Sequence, residues 1–436
     1  MAGVATAPAQ SAAPRRPGVV LAALTFVYVL NFLDRQLIGI VAKPIQDSLG
    51  VTDGQLGLIG GLYFAMFYCF IAIPVGWFAD RTSRVGVLSL ACAIWSGATV
   101  ACGLAANYTQ LVIARMTVGF GEAGGVPPSY AIITDTFPPG RRAAAFGIFN
   151  LGPALGAAVG VAFGALIAER FGWRMPFIVI GAVGIVTALL LRLFLREPAR
   201  GATDAAMGAA TGAATGAIPA EKARFWSTVR MFFAHPVLML AALGSGATQF
   251  VTYGLGNFAV LFLMREKGMV LHEIAVWYAL VIAIGMGGGM IVSGRVIDRM
   301  TRRSRAGYAI APAASLAVAM PFYLGFVYVP GWPLALALLL VVMVFNYVYL
   351  SAAVALVQDE VRPDQRVLAG ALLLLVMNFI GLGLGPTWVG FASDAFRAAG
   401  DGHALRTALY TLTPFYLVAI ALFVALARRL AREARA

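Results

Sequence analysis

The chain has 436 residues, of which 61% are hydrophobic and 12% charged, with a formal net charge of +13 and a mean hydropathy of +0.85. Apolar runs of 18 or more residues recur along almost the whole length, which excludes a soluble domain, and their continuity excludes a β-barrel. The positive charge does not indicate nucleic-acid binding, because it is concentrated in the tails and in alternate loops.

This charge asymmetry predicts the topology of the chain. The loops on the opposite side hold only seven basic residues: Lys43, Arg170, Arg174, Arg265, Lys267, Arg397 and Arg406. By the positive-inside rule both termini are then cytoplasmic, which requires an even number of spans. Residues 1–18 and 429–436 are predicted to be cytoplasmic tails, the first of them disordered. The short loops and the Ala- and Arg-rich composition favour a bacterial inner membrane.

The apolar runs predict an all-α protein with twelve transmembrane helices in two groups of six. In chain order, spans 1 to 6 are predicted near 19–41, 54–79, 85–106, 108–133, 143–168 and 174–194. Spans 7 to 12 are predicted near 236–264, 272–297, 306–328, 331–358, 366–391 and 405–428. The domains are therefore an N-terminal bundle over 19–196 and a C-terminal bundle over 236–428.

A cytoplasmic linker over 197–235 joins the two bundles. Its first part, G-A-T-D-A-A-M-G-A-A-T-G-A-A-T-G-A-I-P, has the composition of a flexible connection. Residues 221–233 mix aromatic and basic side chains, which favours an amphipathic helix on the inner membrane surface. An irregular loop is the alternative for this segment.

The two halves carry matched landmarks. The loop after span 2 reads G-W-F-A-D-R-T-S-R, and the loop after span 8 reads G-R-V-I-D-R-M-T-R. Spans 5 and 11 each carry a Gly-Pro pair, at Gly152-Pro153 and Gly385-Pro386. Duplicated six-helix halves around a site near the bilayer midplane are typical of alternating-access transporters.

The repeated G-x-x-x-D-R loop is the candidate gate. A small residue there lets two helices approach closely, and the carboxylate and guanidinium groups could latch the halves together in one state. The alternative is a basic loop that only sets topology. The candidate gating residues are Gly76, Asp80, Arg81, Arg84, Asp298 and Arg299.

Four charged residues lie within apolar helices, where an unpaired charge is costly. Asp34 and Arg35 belong to span 1, and Arg115 and Glu122 to span 4. Arg115 and Glu122 are two helical turns apart, on one face but too distant for a tight ion pair, so each needs another partner.

The chemistry of these residues predicts an anion and proton site. Arg115 can bind a phosphate or carboxylate in bidentate fashion. A low-dielectric cavity favours the protonated form of Glu122, which brings proton uptake closer to neutral pH. Asp34 is the second candidate proton carrier, and a structural role as a tether for the loop after span 4 or for span 11 is its alternative. The alternative is a structural ion-pair network that orders spans 1 and 4.

The remaining candidates for substrate binding are polar or aromatic, and none of those in the second half is charged. This asymmetry suits an amphiphile, with its head group at the charged half and its tail against the apolar half. For each polar residue interhelical hydrogen bonding is the alternative, and for Tyr63, Phe64, Phe67 and Tyr68 it is simple packing. The candidates are Asn31, Arg35, Tyr63, Gln249, Tyr253, Asn257, Asn346 and Asn378.

The loop after span 2 and the stretch G-I-F-N-L-G-P-A-L-G in span 5 resemble the signatures of the major facilitator superfamily. Within it, N-F-L-D-R, R-M-T-V-G-F-G-E-A, D-T-F-P-P-G-R-R and W-R-M-P-F-I-V-I-G are similar to the Spinster branch. That resemblance implies two rocking six-helix bundles, lysophospholipid or sphingoid-phosphate substrates, and proton coupling. The charges in spans 1 and 4 are also similar to those of organic anion:proton symporters.

The sequence thus predicts a secondary active transporter, proton-coupled, for an amphipathic lipid. A symporter of small organic anions such as sugar acids, or a drug exporter, is the alternative. We expect protons and membrane lipids as partners, a monomer, and no nucleic acid. No nucleotide, haem or metal motif is recognisable, so no cofactor is expected, and an intramembrane enzyme would need a nucleophile or metal cluster that the sequence lacks.

Overall fold

The computed structural model describes residues 16–79, 81–198, 225–362 and 365–433. Asp80, most of the predicted N-terminal tail, residues 199–224 of the linker and residues 434–436 lie outside the described residues. Within the described parts, eleven helices are long and apolar enough to span a membrane. The remaining predicted span, span 4, is helical as well, but it is divided into two shorter helices.

The first half contains spans 1 to 6. Several spans consist of two consecutive helices, and a short helix, Ala42–Leu49, follows span 1. The bounds are Pro17–Ile40 for span 1, Asp53–Gly60 and Leu62–Ala79 for span 2, Arg84–Leu104 for span 3, Tyr108–Glu122 and Val126–Thr136 for span 4, Pro139–Phe149 and Gly152–Phe171 for span 5, and Arg174–Phe194 for span 6.

The second half contains a linker helix, Phe225–Ala234, and spans 7 to 12. Spans 8 and 11 each include a π-helical stretch, Ile274–Tyr278 and Phe379–Leu384. The bounds are Pro236–Lys267 for span 7, Leu271–Thr301 for span 8, Gly307–Tyr328 for span 9, Trp332–Asn346 and Val348–Glu360 for span 10, Arg366–Asn378 and Gly385–Ala398 around the π-helix for span 11, and Ala404–Tyr410 and Thr413–Glu433 for span 12.

Span 4, predicted near 108–133, consists of two helices in the structure. The helix ends at Glu122 and resumes at Val126, where Pro127 and Pro128 follow. Proline has no N–H to continue a helical ladder. The N–H groups of Gly124 and Gly125 instead bond to carbonyls three residues back, which tightens the chain into a turn. The break places Glu122 at a helix end inside the protein.

Four glycines with positive φ end helices on one side of the molecule and reveal the internal repeat. Gly50 and Gly268 follow the corresponding spans 1 and 7, and Gly172 and Gly400 follow spans 5 and 11. A left-handed residue at this position favours glycine, which has no Cβ to clash. We call this the far side, and the opposite one, which holds residues 16 and 433, the terminal side.

The two halves pack against each other through few spans. Within the first half the main contacts join span 1 to span 5 and span 3 to span 6, and within the second half span 7 to span 12. Between the halves, span 2 meets span 11, span 5 meets span 8, and span 1 meets span 7. Among the described residues, the ion pairs between the halves all lie on the far side. The far side is therefore closed by direct contacts between the halves.

Candidate substrate and proton site

The four intramembrane charges form two ion pairs that cross between spans 1 and 4. The Arg35 Nε–H donates to Glu122 Oε2 at 2.6 Å. The Arg115 Nη1 lies 3.7 Å from Asp34 Oδ2, which is an ion pair without a hydrogen bond. The side chains of all four are at most 9% exposed. The site is thus electrically balanced, with two guanidinium groups and two carboxylates in a space with little water.

Helix geometry explains why each charged residue of span 1 pairs with a different residue of span 4. Successive residues of a helix project about 100° apart, so Asp34 and Arg35 cannot face one partner. Arg115 and Glu122 lie on one face of span 4 but two turns apart, so each meets a different residue of span 1. The Asp34 carboxylate also lies near that of Glu122 and near the Thr99 hydroxyl of span 3, although neither of its oxygens has a hydrogen-bond partner among the described residues.

Aromatic rings of spans 1 and 2 surround the guanidinium groups. The Phe64 ring centroid lies 5.3 Å from the Arg35 Cζ and 5.2 Å from the Arg115 Cζ. The rings of Tyr68 and Phe32 lie 4.4 and 4.9 Å from Arg35. Cation–π contacts of this kind partly replace the water that a buried guanidinium loses. Phe64 and Tyr68 thus contact the charged site.

Several buried polar atoms of the site lack a hydrogen-bond partner among the described residues. They are Nε and Nη1 of Arg115, both carboxylate oxygens of Asp34, Oε1 of Glu122, and both polar side-chain atoms of Asn31. Buried polar groups are nearly always satisfied, so a cluster of unsatisfied ones at mid-protein depth calls for an explanation. Free donors and acceptors that converge on one place can receive a proton, an anionic group or water.

The second half contributes polar residues without charge. Tyr253 of span 7 comes close enough to Arg35 for electrostatic interaction. Asn257 donates from Nδ2 to the Tyr253 carbonyl at 3.1 Å. Gln249 is buried against span 11, where a Cβ on Gly381 would lie 2.2 Å from its Cβ. Tyr253 therefore lies beside the charged site.

For three other candidates, no contact with the four charges is seen among the described residues. Asn346 is fully buried and exchanges hydrogen bonds with the Tyr416 hydroxyl at 3.0 and 3.1 Å. Its amide therefore joins spans 10 and 12, in line with the interhelical alternative. Tyr63 and Asn378 are partly buried, and Tyr63 interacts with Tyr108 toward the far side.

In the described residues of the G-x-x-x-D-R loop after span 2, which exclude Asp80, the contacts of Arg84 and Arg81 stay within the first half. Arg84 is buried and pairs within its own half, with Asp135 at 2.5 Å and Glu197 at 2.9 Å. Arg81 stacks on Trp77, with its Cζ 3.9 Å from the ring centroid. In the second copy, Asp298 and Arg299 are exposed.

The glycines of this loop also make no close helix contact. A Cβ on Gly76 would meet only Pro127, at 3.8 Å, and a Cβ on Gly294 would meet nothing within 4 Å. The role of the loop as a latch stays a prediction for another conformation.

Sequence reasoning missed Phe32 and Thr99 at the charged site. Phe32 lies three residues before Arg35, a spacing that places both on one helix face and offered a signal. It also missed a cluster of charges between the halves on the far side, centred on Asp53. Within the described residues, no group of three or more His, Cys, Asp or Glu side chains is placed to hold a metal ion.

Comparison with known proteins identifies the class. The family profile of the Major Facilitator Superfamily matches residues 24–386. An MFS-type efflux pump of Mycolicibacterium smegmatis is 31% identical over 92% of this chain and 90% of its own length. A hexuronate transporter of Bacillus subtilis is 27% identical over 84% of this chain and 85% of its own. The chain belongs to the major facilitator superfamily, and it is a transporter rather than an enzyme.

A solved structure narrows the branch. A bacterial homolog of the human lysosomal transporter Spinster, in an inward-facing and unoccupied conformation, superposes with a TM-score of 0.86. It is 32% identical, and the match covers 97% of this chain and 99% of the other. The chain is a member of the Spinster-like branch, as the motifs in spans 1 and 4 predicted.

Proposed function

We propose that this protein is a proton-coupled secondary transporter that moves an amphipathic lysophospholipid or sphingoid-phosphate-like lipid by alternating access. The observation that carries the proposal is the incompletely satisfied cluster of Asp34, Arg35, Arg115 and Glu122. A structural ion-pair network would be expected to satisfy its buried donors and acceptors. This one leaves several free at the place where the halves face each other.

Charge balance links the proton to the substrate. With two cations and two carboxylates, the site is neutral while both carboxylates are ionised. Protonation of Glu122 would leave Arg35 without its partner, and an unpaired buried charge costs several kcal/mol. An anionic phosphate that binds Arg35 and Arg115 would restore the balance. One proton and one negative head-group charge would therefore enter the site together more readily than either alone.

The distribution of charge between the halves supports an amphiphile. In the described residues of the second half, Lys, Arg, Asp and Glu lie at or near span ends rather than at mid-span. A lipid tail could lie along this apolar wall while its head group binds the first half.

With both termini cytoplasmic, as the charge asymmetry predicts, the closed far side would be periplasmic and the structure inward-facing. The linker helix, with exposed Phe225 and Trp226, would lie on the cytoplasmic membrane surface.

A small organic anion is the second candidate. The similar hexuronate transporter moves a sugar acid, as its name states, and the two guanidinium groups suit a carboxylate as well as a phosphate. The lipid is favoured because the second half offers an apolar wall, whereas a multiply hydroxylated acid would need polar partners on both sides.

The test is transport in proteoliposomes with an imposed pH gradient, comparing a labelled lysophospholipid with a labelled sugar acid. We expect gradient-driven lipid movement that Glu122→Gln lowers at least about tenfold, a change of about 1.4 kcal/mol. Exchange of lipid without a gradient should persist in that variant, because Arg35 and Arg115 remain.

Asp47→Asn is the matched control. Asp47 is exposed and pairs only with Lys43, four residues earlier, so its loss should leave transport unchanged. Movement of the sugar acid without movement of lipid would reject the lipid proposal in favour of the second candidate. Transport by Glu122→Gln that still follows the gradient would remove Glu122 from the coupling.

A further inference from the structure

A single buried carboxylate on the far side receives hydrogen bonds from three residues of the opposite half. Asp53, the first residue of span 2, has a side chain with no exposed surface. It accepts from Arg265 Nη1 at 2.9 and 3.0 Å, from Arg397 Nη2 at 2.5 Å and from Ser393 Oγ at 2.7 Å. From its own half it accepts only from Gln46, at 2.7 Å.

A carboxylate of the opposite half, that of Asp394 in span 11, also accepts hydrogen bonds from span 2. Its carboxylate accepts the backbone N–H groups of Asp53 at 3.1 Å and Gly54 at 2.8 Å. These are donors of the first turn of span 2, which a helix leaves unsatisfied and which attract negative charge. The N-terminus of a helix in one half is thus capped by a side chain of the other.

A third contact lies further along the same two spans. Span 2 is interrupted at Gly61, and the Leu62 N–H that follows the interruption bonds to Thr387 Oγ1 of span 11 at 3.3 Å. The Thr387 hydroxyl lies 2.8 Å from the Gly383 carbonyl and 3.4 Å from that of Gly57. Span 11 therefore satisfies a donor that the break in span 2 would leave free.

Between these contacts the two backbones touch. A Cβ on Gly57 would lie 2.4 Å from the Pro386 carbonyl oxygen, and a Cβ on Gly390 would lie 2.3 Å from that of Asp53. We call the contact of span 2 with span 11 from Asp53 to Leu62 the far-side seam. The backbones are in direct contact here, so separation of the spans would break these contacts together, and the buried charge of Asp53 would lose its donors in the other half.

We propose that the far-side seam is the gate of this side of the transporter and that the negative charge of Asp53 holds it closed. The purpose of the gate rests on the alternating-access function proposed above. Removal of that charge leaves Arg265 without the carboxylate that it shares with Arg397, and it leaves Arg397 with the longer pair to Asp394, at 3.7 Å. The closed state should then lose stability relative to an open state in which water solvates both guanidinium groups.

The test is a distance measurement between spin labels in nanodiscs, without substrate or pH gradient. Labels at Ser48→Cys and Ala399→Cys, both exposed on the far side, report the separation of the halves. In the parent we expect one short distance. In Asp53→Asn we expect the ratio of open to closed populations to rise at least about tenfold.

Two further variants keep the test decisive. Arg397→Gln, at a side chain that is 47% exposed, should shift the populations in the same direction but less, and it carries little risk of misfolding. Asp47→Asn removes the same charge on the same side without touching the seam and should leave the distance unchanged. A parent-like distance in folded Asp53→Asn and Arg397→Gln, or equal opening by Asp47→Asn, would overturn the proposal.

The outcome does not depend on the substrate. Failure of lipid transport in proteoliposomes would leave a positive spin-label result standing as evidence for the gate. A transporter that moves lipid but shows no opening in Asp53→Asn would keep the proposed function and lose the latch.

Discussion

At the scale of residues, the charged site contains two ion pairs, of which one also forms a hydrogen bond and the other does not. Arg35 and Glu122 are in hydrogen-bond contact, whereas Arg115 and Asp34 are 3.7 Å apart. Both pairs are buried, so the attraction between opposite charges must offset the loss of hydration. The looser pair can separate at lower cost, so the Arg115 guanidinium is the easier of the two to free for an anion.

A double-mutant cycle on the looser pair separates function from structure. Arg115→Met leaves the Asp34 carboxylate buried without its partner, and we expect a loss of about 3–5 kcal/mol of stability. Asp34→Asn together with Arg115→Met should recover most of that loss, because no uncompensated charge remains. Thermal unfolding in detergent measures both.

Transport by the double variant then decides between the two interpretations. If the pair serves only to order spans 1 and 4, the stabilised double variant should transport like the parent. We expect it to fold but to bind anionic substrate at least about tenfold more weakly, since no guanidinium remains at that position.

At the scale of elements, three helix ends of the first half are tied together on the terminal side. Arg84 begins span 3, Asp135 lies near the end of span 4, and Glu197 follows span 6. Glu197 also accepts the Val85 N–H at 2.9 Å and the Ser83 hydroxyl at 2.9 Å, which caps the start of span 3. The loop that resembles the family signature thus orders its own half in this conformation.

This cluster predicts a dependence of stability on pH. Partial burial disfavours the charged Glu197, but hydrogen bonds from Val85, Arg84 and Ser83 outweigh it and hold the pKa of its carboxyl below the ordinary value of 4.5. The stabilisation is therefore complete above pH 4.5 and is lost as the pH falls through the lowered pKa. At pH 7, Glu197→Gln should have a lower melting temperature than the parent. This difference in melting temperature should become smaller as the pH falls toward 3.

The control for this prediction is Glu433→Gln. Glu433 makes an exposed ion pair with Arg429, four residues earlier, of a kind that contributes little. Glu433→Gln should have the same melting temperature as the parent from pH 7 down to pH 3. A difference between Glu197→Gln and the parent that stays constant down to pH 3 would contradict the assignment.

At the scale of the whole molecule, the ion pairs between the halves lie on the far side, and the charged site lies on the terminal side of that closure. Two rigid bundles that rock about the site would close the terminal side as the seam opens. The loops after spans 4 and 8, one from each half, should approach each other in that motion.

We expect a saturating lysophospholipid at low pH to shorten the distance between spin labels at Arg141→Cys and Arg303→Cys, which are exposed on the terminal side of different halves. Glu122→Gln should respond to the lipid without the dependence on pH. A label pair within the first half, Arg81→Cys with Arg141→Cys, is the control and should not change. Equal shortening of both pairs would indicate distortion of one bundle instead of rocking of two.

The sequence by itself determined the class of protein and its architecture. The length of the apolar runs, the alternation of basic loops and the matched landmarks are local or one-dimensional signals, and burial in a bilayer leaves few structures that satisfy them. The costly charges in spans 1 and 4 indicated the candidate site for the same reason. The repeat was recognisable because the loops after spans 2 and 8 and the Gly-Pro pairs of spans 5 and 11 recur at corresponding places.

Only the tertiary structure decided which residues meet. The partner of each charge, the Phe64 ring between two guanidinium groups, the break after Glu122 and the distant pairing of Asn346 depend on how helices rotate and cross. The far-side seam joins residues more than two hundred positions apart, and its charges resemble ordinary loop residues in the sequence. Such contacts are set by helix packing, which the periodicity of a single span does not encode.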